Sequence, residues 1–163
     1  MHLQILATGG TIDKIYFDAA SEYHIGEPVA GDLLARFKVD FDYEVVSLMK
    51  KDSLDMTDED REQILRYVKS NPSEHFVITH GTDTMVETAR VLSALENKTI
   101  VMVGAMQPAI VTHSDAAFNL GFACSAAQIL PSGVYVAMNG RVFDPLRVKK
   151  CRSEMRFMSS DSF

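Results

Sequence analysis

The sequence has little of what nucleic-acid-binding, membrane-spanning and disulfide-stabilised proteins require. Lys and Arg number 16 against 22 Asp and Glu, so the formal net charge is -6 and no basic stripe is available to neutralise phosphates. We therefore expect no nucleic-acid partner and no membrane partner, and we expect a small molecule instead. The two cysteines, Cys124 and Cys151, show no spacing typical of a metal site or a disulfide framework, which favours a reducing, cytoplasmic environment.

Long apolar runs are also absent. No stretch approaches the roughly 20 consecutive apolar residues of a membrane span. The short run from Leu3 to Ala7 has no basic segment before it and no small-residue cleavage site after a longer apolar stretch, so we do not expect a signal peptide. With 163 residues, of which 47% are hydrophobic, the chain is long enough for a real core, and we expect one domain over residues 1–163.

Strand and helix patterns alternate along the chain. Continuous apolar runs bounded by turn residues predict buried parallel strands at 3–8, 43–49, 75–79, 99–104 and 133–138. Helical spacing predicts helices at 32–37, 58–70, 83–95 and 113–130. We therefore predict an α/β fold with an open, mostly parallel, doubly wound sheet in three layers, of the Rossmann or flavodoxin-like type. In such sheets, ligands bind outside the carboxyl ends of the strands.

Two segments fall outside this alternation. Residues 12–30 form a long connection with weak periodicity, and connections longer than about 12 to 15 residues are usually functional or disordered, so we predict an active-site lid there. Residues 144–163 are polar and basic, and we predict a terminal extension with a frayed end. At the helix starts, Thr57 is predicted to cap the second helix, and Thr82 or Asp83 the third.

The carboxyl ends of two predicted strands carry similar clusters of small and hydroxyl-bearing residues. Thr8-Gly9-Gly10-Thr11 follows the first strand, and His80-Gly81-Thr82-Asp83-Thr84 follows the third. Paired glycines allow a tight turn and bring backbone N–H groups close to a ligand, while threonine presents a hydroxyl. Taken alone, the first cluster is more typical of an ordinary turn, and Thr82 and Asp83 are also good helix-capping residues. Because parallel strands end at the same edge of a sheet, the two clusters are expected to face one crevice.

Both clusters resemble signatures of the bacterial-type L-asparaginase family. They read TGGTI at 8–12 and HGTDTM at 80–85, and further matching pieces follow in order at 53–56, 103–106, 114–120 and 148–150. The resemblance covers essentially the whole chain and corresponds to the N-terminal domain of the family, in a short, single-domain form. Typical members are about twice as long and carry a second domain, whereas we expect this chain to be a naturally short form.

The resemblance implies a threonine nucleophile, Thr11, and a second catalytic cluster formed by Thr82, Asp83 and Lys150. A threonine hydroxyl attacks efficiently only when a base removes its proton, and a lysine can act as that base only as the neutral amine. Asp83 is expected to orient the lysine and to bind a substrate ammonium.

The resemblance also implies a lid tyrosine that acts on the nucleophile. Tyr23 fits the local pattern of the family, whereas Tyr16 lies nearer to Thr11 in the sequence, so both remain candidates. Histidines His80 and His113 need no catalytic role, and no ligand spacing around them indicates a metal, so neither a metal nor an organic cofactor is expected.

Several residues are expected to hold the substrate rather than to react with it. Leu54 stands where larger relatives usually carry glutamine, so one polar contact to the α-carboxylate of the substrate is missing or replaced. The backbone of Ala105 is expected to hold the amide group. The full set of expected substrate-binding residues is Gly10, Ser53, Leu54, Asp55, Gly81 and Ala105.

The implied reaction is hydrolysis of the side-chain amide of L-asparagine, glutamine or a related amide through a threonine acyl-enzyme. The alternative is a non-catalytic amino-acid-binding module that lacks the second asparaginase domain. We also expect a homodimer or higher homo-oligomer, because the crevice of a single sheet would be open to water. The apolar helix at 113–130 is the candidate contact surface, unless residues such as Met155, Phe157 and Met158 cover it within the same chain.

Overall fold

A computed structural model describes residues 1–160. The strands in this part of the chain are β1 (His2–Gly9), β2 (Lys14–Phe17), β3 (Glu22–Ile25), β4 (Asp42–Lys51), β5 (His75–Thr79), β6 (Thr99–Val103), β7 (Gly133–Met138), β8 (Arg141–Phe143), β9 (Val148–Cys151) and β10 (Arg156–Ser159). The α-helices are α1 (Ala30–Arg36), α2 (Asp58–Ser70), α3 (Met85–Leu92) and α4 (Ala116–Ile129). No helix within residues 1–160 has both the length and the apolarity needed to cross a membrane.

The main sheet has the strand order β4-β1-β5-β6-β7-β8, and all of its pairings are parallel except the pairing of β7 with β8. Strands β1, β5 and β6 lie in the centre, and residues such as Ile5, Val77 and Val101 are fully buried. Burial on both faces explains why these strands read as continuous apolar runs. The predicted open, mostly parallel α/β sheet is confirmed, and the short antiparallel strand β8 was not predicted.

Of the two predicted helix caps, the one at α2 is confirmed and the one at α3 is wrong. Thr57 caps α2: its hydroxyl accepts the backbone N–H of Asp60 at 3.2 Å, and the Asp60 carboxylate accepts the N–H of Thr57 at 2.8 Å. Helix α3 begins later than expected, at Met85, with Thr84 in the N-cap position. Thr82 and Asp83 therefore do not cap this helix, and their side chains make other contacts.

The segment 12–30 is more regular than the sequence predicted. After a short 3₁₀ turn at Thr11–Asp13, strands β2 and β3 form an antiparallel hairpin in which Tyr16 pairs with Tyr23. Weak periodicity had hidden these strands because most of their side chains are exposed on both faces of a two-stranded ribbon. We call residues 14–25 the lid hairpin.

The segment 144–163 is also more ordered than predicted. Strands β9 and β10 form a second antiparallel hairpin, and Val148 and Phe157 are buried in the main core. The backbone N–H of Phe157 donates to the side-chain oxygen of Asn139 at 3.1 Å, which fixes this hairpin against the end of β7. The extension is therefore a packed element up to Ser159, and its last residues, 161–163, to which the prediction of a frayed end also applies, lie outside the described residues.

Most of the apolar side chains of helix α4 are buried in the core of its own domain. Leu120, Ala123 and Cys124 are at most 1% exposed, whereas Phe118 is 63% exposed. Helix α4 packs on strands β5, β6 and β7. Its uniform apolarity is therefore explained mainly by burial within the chain and less by a contact with another molecule. Phe118 remains as an apolar surface residue beside Gly121.

Candidate active site

The ends of β1 and β5 meet backbone against backbone. A Cβ atom on Gly10 would lie 2.4 Å from the backbone nitrogen of Gly81, and one on Gly9 would lie 2.6 Å from the backbone of Lys51. Both glycines also have positive φ angles, 99° at Gly9 and 86° at Gly10, which side chains disfavour. Only glycine therefore allows β1 to end between β4 and β5 at this distance. The contact places the residues that follow, Thr11 and Thr82, on adjacent ends of neighbouring strands.

The Thr11 side chain is left without a partner by this arrangement. Thr11 is partly exposed at the start of the 3₁₀ turn, and its hydroxyl makes no hydrogen bond to any residue from 1 to 160. By contrast, the hydroxyl of Thr8 is buried and donates to the backbone oxygen of Thr79 at 2.8 Å, so it holds β1 against β5. Of the two threonines in this turn, only Thr11 has a hydroxyl free to contact a ligand.

Lys150 joins the two residues that precede helix α3. Its ammonium donates to the hydroxyl of Thr82 at 2.7 Å and to Oδ1 of Asp83 at 3.0 Å. The Lys150 side chain is 15% exposed and that of Asp83 25%. Arg152 also lies 3.1 Å from Oδ1 of Asp83, so two cations share one carboxylate oxygen. A hydroxyl, an amine and a carboxylate thus converge at the end of β5, although the lysine lies 67 or more residues from the other two in the sequence.

Lys150 and Arg152 both belong to the hairpin formed by β9 and β10. Val148 and Lys150 lie two residues apart on β9, so their side chains point to the same side, and Arg152 follows in the turn after the strand. Val148 is 1% exposed and anchors that side in the core, which directs Lys150 inward toward Thr82. The sequence placed Lys150 at the site only through the family resemblance, because its partners lie far away in the chain.

The turn after β4 contributes a second wall. Ser53 is 1% exposed, and a Cβ on Gly81 would lie 2.6 Å from the Ser53 side chain. Thr84 fixes this turn, because its hydroxyl donates to the backbone oxygen of Ser53 at 2.7 Å. Leu54 is 64% exposed, and Asp55 is exposed as well. Ser53 and Gly81 are therefore brought together, while the Leu54 and Asp55 side chains point to solvent.

Asp52, which the sequence did not single out, links this wall to the lid hairpin. Its carboxylate accepts the N–H of Leu54 at 3.1 Å and lies 3.0 Å from the ammonium of Lys14 at the start of β2. Burial opposes ionisation of Asp52, but these two contacts and the more distant charge of Lys150 outweigh it and lower the pKa of the carboxyl.

The end of β6 forms a third part of the crevice. A Cβ on Gly104 would lie 2.4 Å from the backbone oxygen of His80, so β5 and β6 also end in close backbone contact. Ala105 is 1% exposed, and neither its own N–H nor its own C=O has a hydrogen-bond partner in the described part of the chain. Asp115 holds the following turn by accepting the N–H groups of Met106 and Gln107. An unsatisfied buried peptide is suited to binding the polar group of a ligand.

His80 is structural, in agreement with the sequence-based expectation. It is fully buried, and burial lowers its pKa to about 4, so the ring is neutral at pH 7. Its Nδ1–H donates to the backbone oxygen of Gly81 at 2.7 Å, and Nε2 lies 2.8 Å from the hydroxyl of Thr88, from which it accepts. The ring therefore holds the backbone of Gly81 in place through this hydrogen bond.

The lid hairpin carries both candidate tyrosines on its surface. Tyr16 and Tyr23 pack edge to face with ring centroids 5.6 Å apart and are 48% and 49% exposed. Neither hydroxyl bonds to Thr11 or to another residue within 1–160. At the base, Asp13 is 2% exposed and fixes the returning chain, because its carboxylate accepts the N–H of Val29 at 2.9 Å and its backbone oxygen that of Gly26 at 2.8 Å.

Comparison with known proteins agrees with this geometry. Residues 2–161 match the family model described as "Asparaginase, N-terminal". The chain belongs to the asparaginase family. It is 35% identical over 160 residues to L-asparaginase 2 of Escherichia coli (strain K12), an alignment that covers 91% of this chain and 46% of that protein. It is 34% identical over 154 residues to L-asparaginase 2-3 of Saccharomyces cerevisiae, covering 86% of this chain and 42% of that protein.

Solved structures of L-asparaginases confirm the fold of this asparaginase-family domain. The thermostable L-asparaginase from Thermococcus kodakarensis has a TM-score of 0.84 at 29% identity, covering 98% of this chain and 51% of that one. L-asparaginase I from Vibrio cholerae has a TM-score of 0.85 at 28% identity, with 97% and 51% covered. The chain therefore spans about half the length of these relatives, 42% to 51%.

The asparaginase-family site thus gathers some predicted residues and not others. Gly10, Gly81 and Ser53 meet at the floor, and Thr82, Asp83 and Lys150 form one hydrogen-bonded group. The tyrosines and Leu54 stay on exposed surfaces. The sequence-based prediction missed Arg152, Asp52, Lys14 and Asp13. A cation two positions after Lys150 and an acid two positions after Thr11 were the signals that could have identified the first and the last.

Proposed function

We propose that this chain hydrolyses the side-chain amide of L-asparagine, or of a related amide such as glutamine, through a threonine acyl-enzyme. The observation that carries the proposal is the contact of the Lys150 amine with the Thr82 hydroxyl at 2.7 Å, beside the backbone junction of Gly10 and Gly81. A pure binding site needs a carboxylate and donors, but it has no use for an amine held against a hydroxyl at the end of the neighbouring strand.

Thr11 is the proposed nucleophile. Its oxygen attacks the amide carbon, and its proton passes through the Thr82 and Lys150 pair to the leaving nitrogen, a role for which the Lys150 ammonium must first release one proton. The C–N bond then breaks and ammonia departs. Water attacks the acyl-enzyme, loses its proton to the same pair and releases the acid, aspartate in the case of asparagine, with the Thr11 hydroxyl restored. The free peptide of Ala105 supports a role in holding the amide group.

The direct test is release of ammonia from asparagine, glutamine and further β-amides. Ammonia and aspartate in equal amounts from asparagine are expected. Binding of aspartate without ammonia release from any amide would support the binding module instead.

The lid hairpin is proposed to close over the substrate, with Tyr16 or Tyr23 approaching Thr11. The support is the exposure of both rings and the absence of any hydrogen bond to their hydroxyls within residues 1–160. Hydrogen exchange should slow in residues 14–25 when aspartate binds. Equal exchange with and without aspartate would contradict closure.

A homodimer or larger homo-oligomer in the cytoplasm is also proposed. Phe118 at 63% and Phe37 at 61% exposure border an apolar groove between α1 and α4, which supports a contact between copies. Both cysteines are free, which supports a reducing compartment. Light scattering over a dilution series tests the first statement, and cell fractionation tests the second. An active monomer at nanomolar concentration would contradict the idea that a second copy is needed to cover the crevice.

A further inference from the structure

Thr84 occupies the N-cap position of helix α3 but does not cap the helix. Threonine is favoured at this position because its hydroxyl oxygen can accept a backbone N–H of the first helical turn. The Thr84 hydroxyl makes no such bond, and the backbone of this residue, with φ -122° and ψ 20°, lies outside the extended region that capping residues usually adopt. The hydroxyl of Thr57, by contrast, does cap α2. The Thr84 side chain therefore serves something other than the start of its own helix.

The Thr84 hydroxyl instead donates to a segment that lies 31 residues earlier in the chain. Its acceptor is the backbone oxygen of Ser53, and the two oxygens are 2.7 Å apart, a typical length for a good O–H···O hydrogen bond. The backbone N–H of Thr84 also donates to the hydroxyl oxygen of Ser53, over a longer distance of 3.4 Å. One residue thus holds both the main chain and the side chain of Ser53.

These two bonds leave the hydrogen-bond donors of Ser53 unused. Neither its hydroxyl proton nor its backbone N–H has an acceptor within residues 1–160. Both donors lie at the floor of the crevice, because a Cβ on Gly81 would lie 2.6 Å from the Ser53 hydroxyl oxygen and 3.0 Å from its nitrogen. Ser53 is 1% exposed, and buried donors without an acceptor are suited to binding an oxygen of a ligand.

The Lys150 cluster does not depend on these contacts. Thr82 and Asp83 are held by the Lys150 amine at 2.7 Å and 3.0 Å, whereas the next residue, Thr84, reaches to the other wall of the crevice. Loss of the Thr84 hydroxyl should therefore release the turn that carries Ser53 and leave the Lys150 contacts in place. Such a change should affect ligand binding more than the chemical step.

We propose that Thr84 is a positioning residue that sets the affinity for the substrate. It holds Ser53 in the orientation in which the hydroxyl and the backbone N–H of Ser53 donate to an acceptor oxygen of the substrate. Thr84 itself does not touch the substrate and acts only through Ser53. The identity of the substrate in this inference rests on the proposed function.

The test begins with two substitutions at Thr84. Thr84→Val keeps the shape of the side chain and removes the hydroxyl. It should raise the KM for asparagine and the Kd for aspartate, measured by calorimetry, by about 5- to 30-fold, because hydrogen bonds to a charged ligand are weakened. The value of kcat should stay within about threefold. Thr84→Ser keeps the hydroxyl and should remain within about twofold of the unaltered chain in both KM and Kd.

Thr99→Val is the matched control. The Thr99 hydroxyl also donates to a backbone oxygen of a distant segment, that of Leu130 at 3.4 Å, but Thr99 begins β6 and so lies at the opposite end of the sheet. This variant should change neither KM nor Kd. A rise in both constants as large as that in Thr84→Val would mean that general loss of stability explains the effect, and the inference would then be wrong.

A double-mutant cycle shows whether Thr84 acts through Ser53. Ser53→Ala alone should weaken aspartate binding. Adding Thr84→Val to Ser53→Ala should weaken it by a smaller factor than Thr84→Val does in the unaltered chain, because one of the two positioned donors is already gone. The same factor in both backgrounds would show that Thr84 acts by another route, which contradicts the inference.

Three further results bear on the inference. Unchanged KM and Kd in Thr84→Val, or a fall in kcat at constant KM, would overturn it. Failure of the unaltered chain to bind aspartate would overturn it as well. Aspartate binding that weakens in Thr84→Val, without ammonia release from asparagine by the unaltered chain, would instead contradict the proposed hydrolysis and leave this inference supported.

Discussion

The crevice and the lid hairpin lie next to each other in the sequence but are built in different ways. Gly9 and Gly10 are buried and touch the backbones of two neighbouring strands, so residues before Thr11 have no room to move. A few residues later, Ile15, Tyr16 and Phe17 are 40% to 50% exposed on a two-stranded ribbon. An isolated two-stranded hairpin is only marginally stable, so its order depends on its attachment at the base.

The crevice and the lid hairpin are therefore suited to different roles. The crevice holds its hydroxyls, peptides and charges in fixed positions, which is what stabilisation of a developing charge requires. The hairpin is attached through Asp13, Lys14 and the Lys50 to Glu27 ion pair, and most side chains between these points are exposed. Under the proposed function, substitutions in the crevice should therefore act on the reaction or on the fold as a whole, and substitutions on the exposed hairpin mainly on its proposed closure.

The largest expected effect is on the reaction, at the two threonine hydroxyls. Thr11→Ala and Thr82→Val should each lower kcat by on the order of 10³-fold or more, because they remove the proposed nucleophile and the hydroxyl that contacts Lys150. Circular dichroism and urea unfolding should show an intact fold. Thr112→Ala, at an exposed threonine, is the control. More than a tenth of the original activity in Thr11→Ala, against that scale, would reject the nucleophile assignment.

The next effect concerns the fold at the crevice floor. Gly10→Ala should lower the free energy of unfolding by roughly 2 to 4 kcal/mol, because its Cβ would overlap the Gly81 backbone at a positive φ angle. Gly121→Ala has no atom within 4 Å of the new Cβ and should stabilise helix α4 by about 0.5 to 1 kcal/mol. Urea titrations measure both. Similar values for the two variants would show that the strand ends are less constrained than the contacts indicate.

A smaller effect, dependent on pH, is expected at the base of the lid hairpin. Burial raises the pKa of Asp13 from 3.8 to about 6, while the N–H of Val29 and the charge of Lys50 oppose the shift. The folded state therefore binds more protons than the unfolded state between about pH 4 and 6, and this group's contribution to stability falls as pH rises through that window and is constant above it. The total change should be on the order of 1 to 3 kcal/mol.

Asp13→Asn should remove this contribution, because asparagine does not titrate and its oxygen can still accept from Val29. The difference in unfolding free energy between variant and unaltered protein should grow in favour of the variant from about pH 4 to 6 and then stay level. Asp52 and Asp60, whose pKa values are lowered, give the opposite slope in both proteins and cancel in the difference. Asp18→Asn, at an exposed position on the same hairpin, should show no such trend. A flat difference for Asp13→Asn would mean that Asp13 is not buried in solution.

The smallest effect on the fold is expected from the tyrosines. Tyr16→Phe and Tyr23→Phe remove hydroxyls that have no partner within residues 1–160, so each should change stability by less than about 0.5 kcal/mol. One of them should lower kcat by about tenfold, corresponding to one hydrogen bond made only in the closed state. Each variant serves as the control for the other. Unchanged kcat in both would remove the tyrosine from the mechanism.

The sequence predicted the sheet well and the connections poorly. Strands β1, β5 and β6 are buried on both faces, and their apolar runs therefore carry a strong signal. The lid hairpin and β9-β10 have exposed or mixed faces, so they show no clear period of two. The cap of α2 was found because Thr57 and Asp60 bond within four residues, whereas Thr82 resembled a cap and instead serves a lysine 68 residues away.

By itself, the sequence determined the order of strands and helices, the glycine turn that ends β1, and the family to which the chain belongs. These features depend on local patterns: apolar runs, helix caps and paired glycines. Only the tertiary structure decided that Lys150 meets Thr82 and Asp83, that Arg152 adds a second cation there, and that Asp13 is buried at the lid base. Such contacts join segments far apart in the chain or depend on what covers a residue, and no local pattern encodes either.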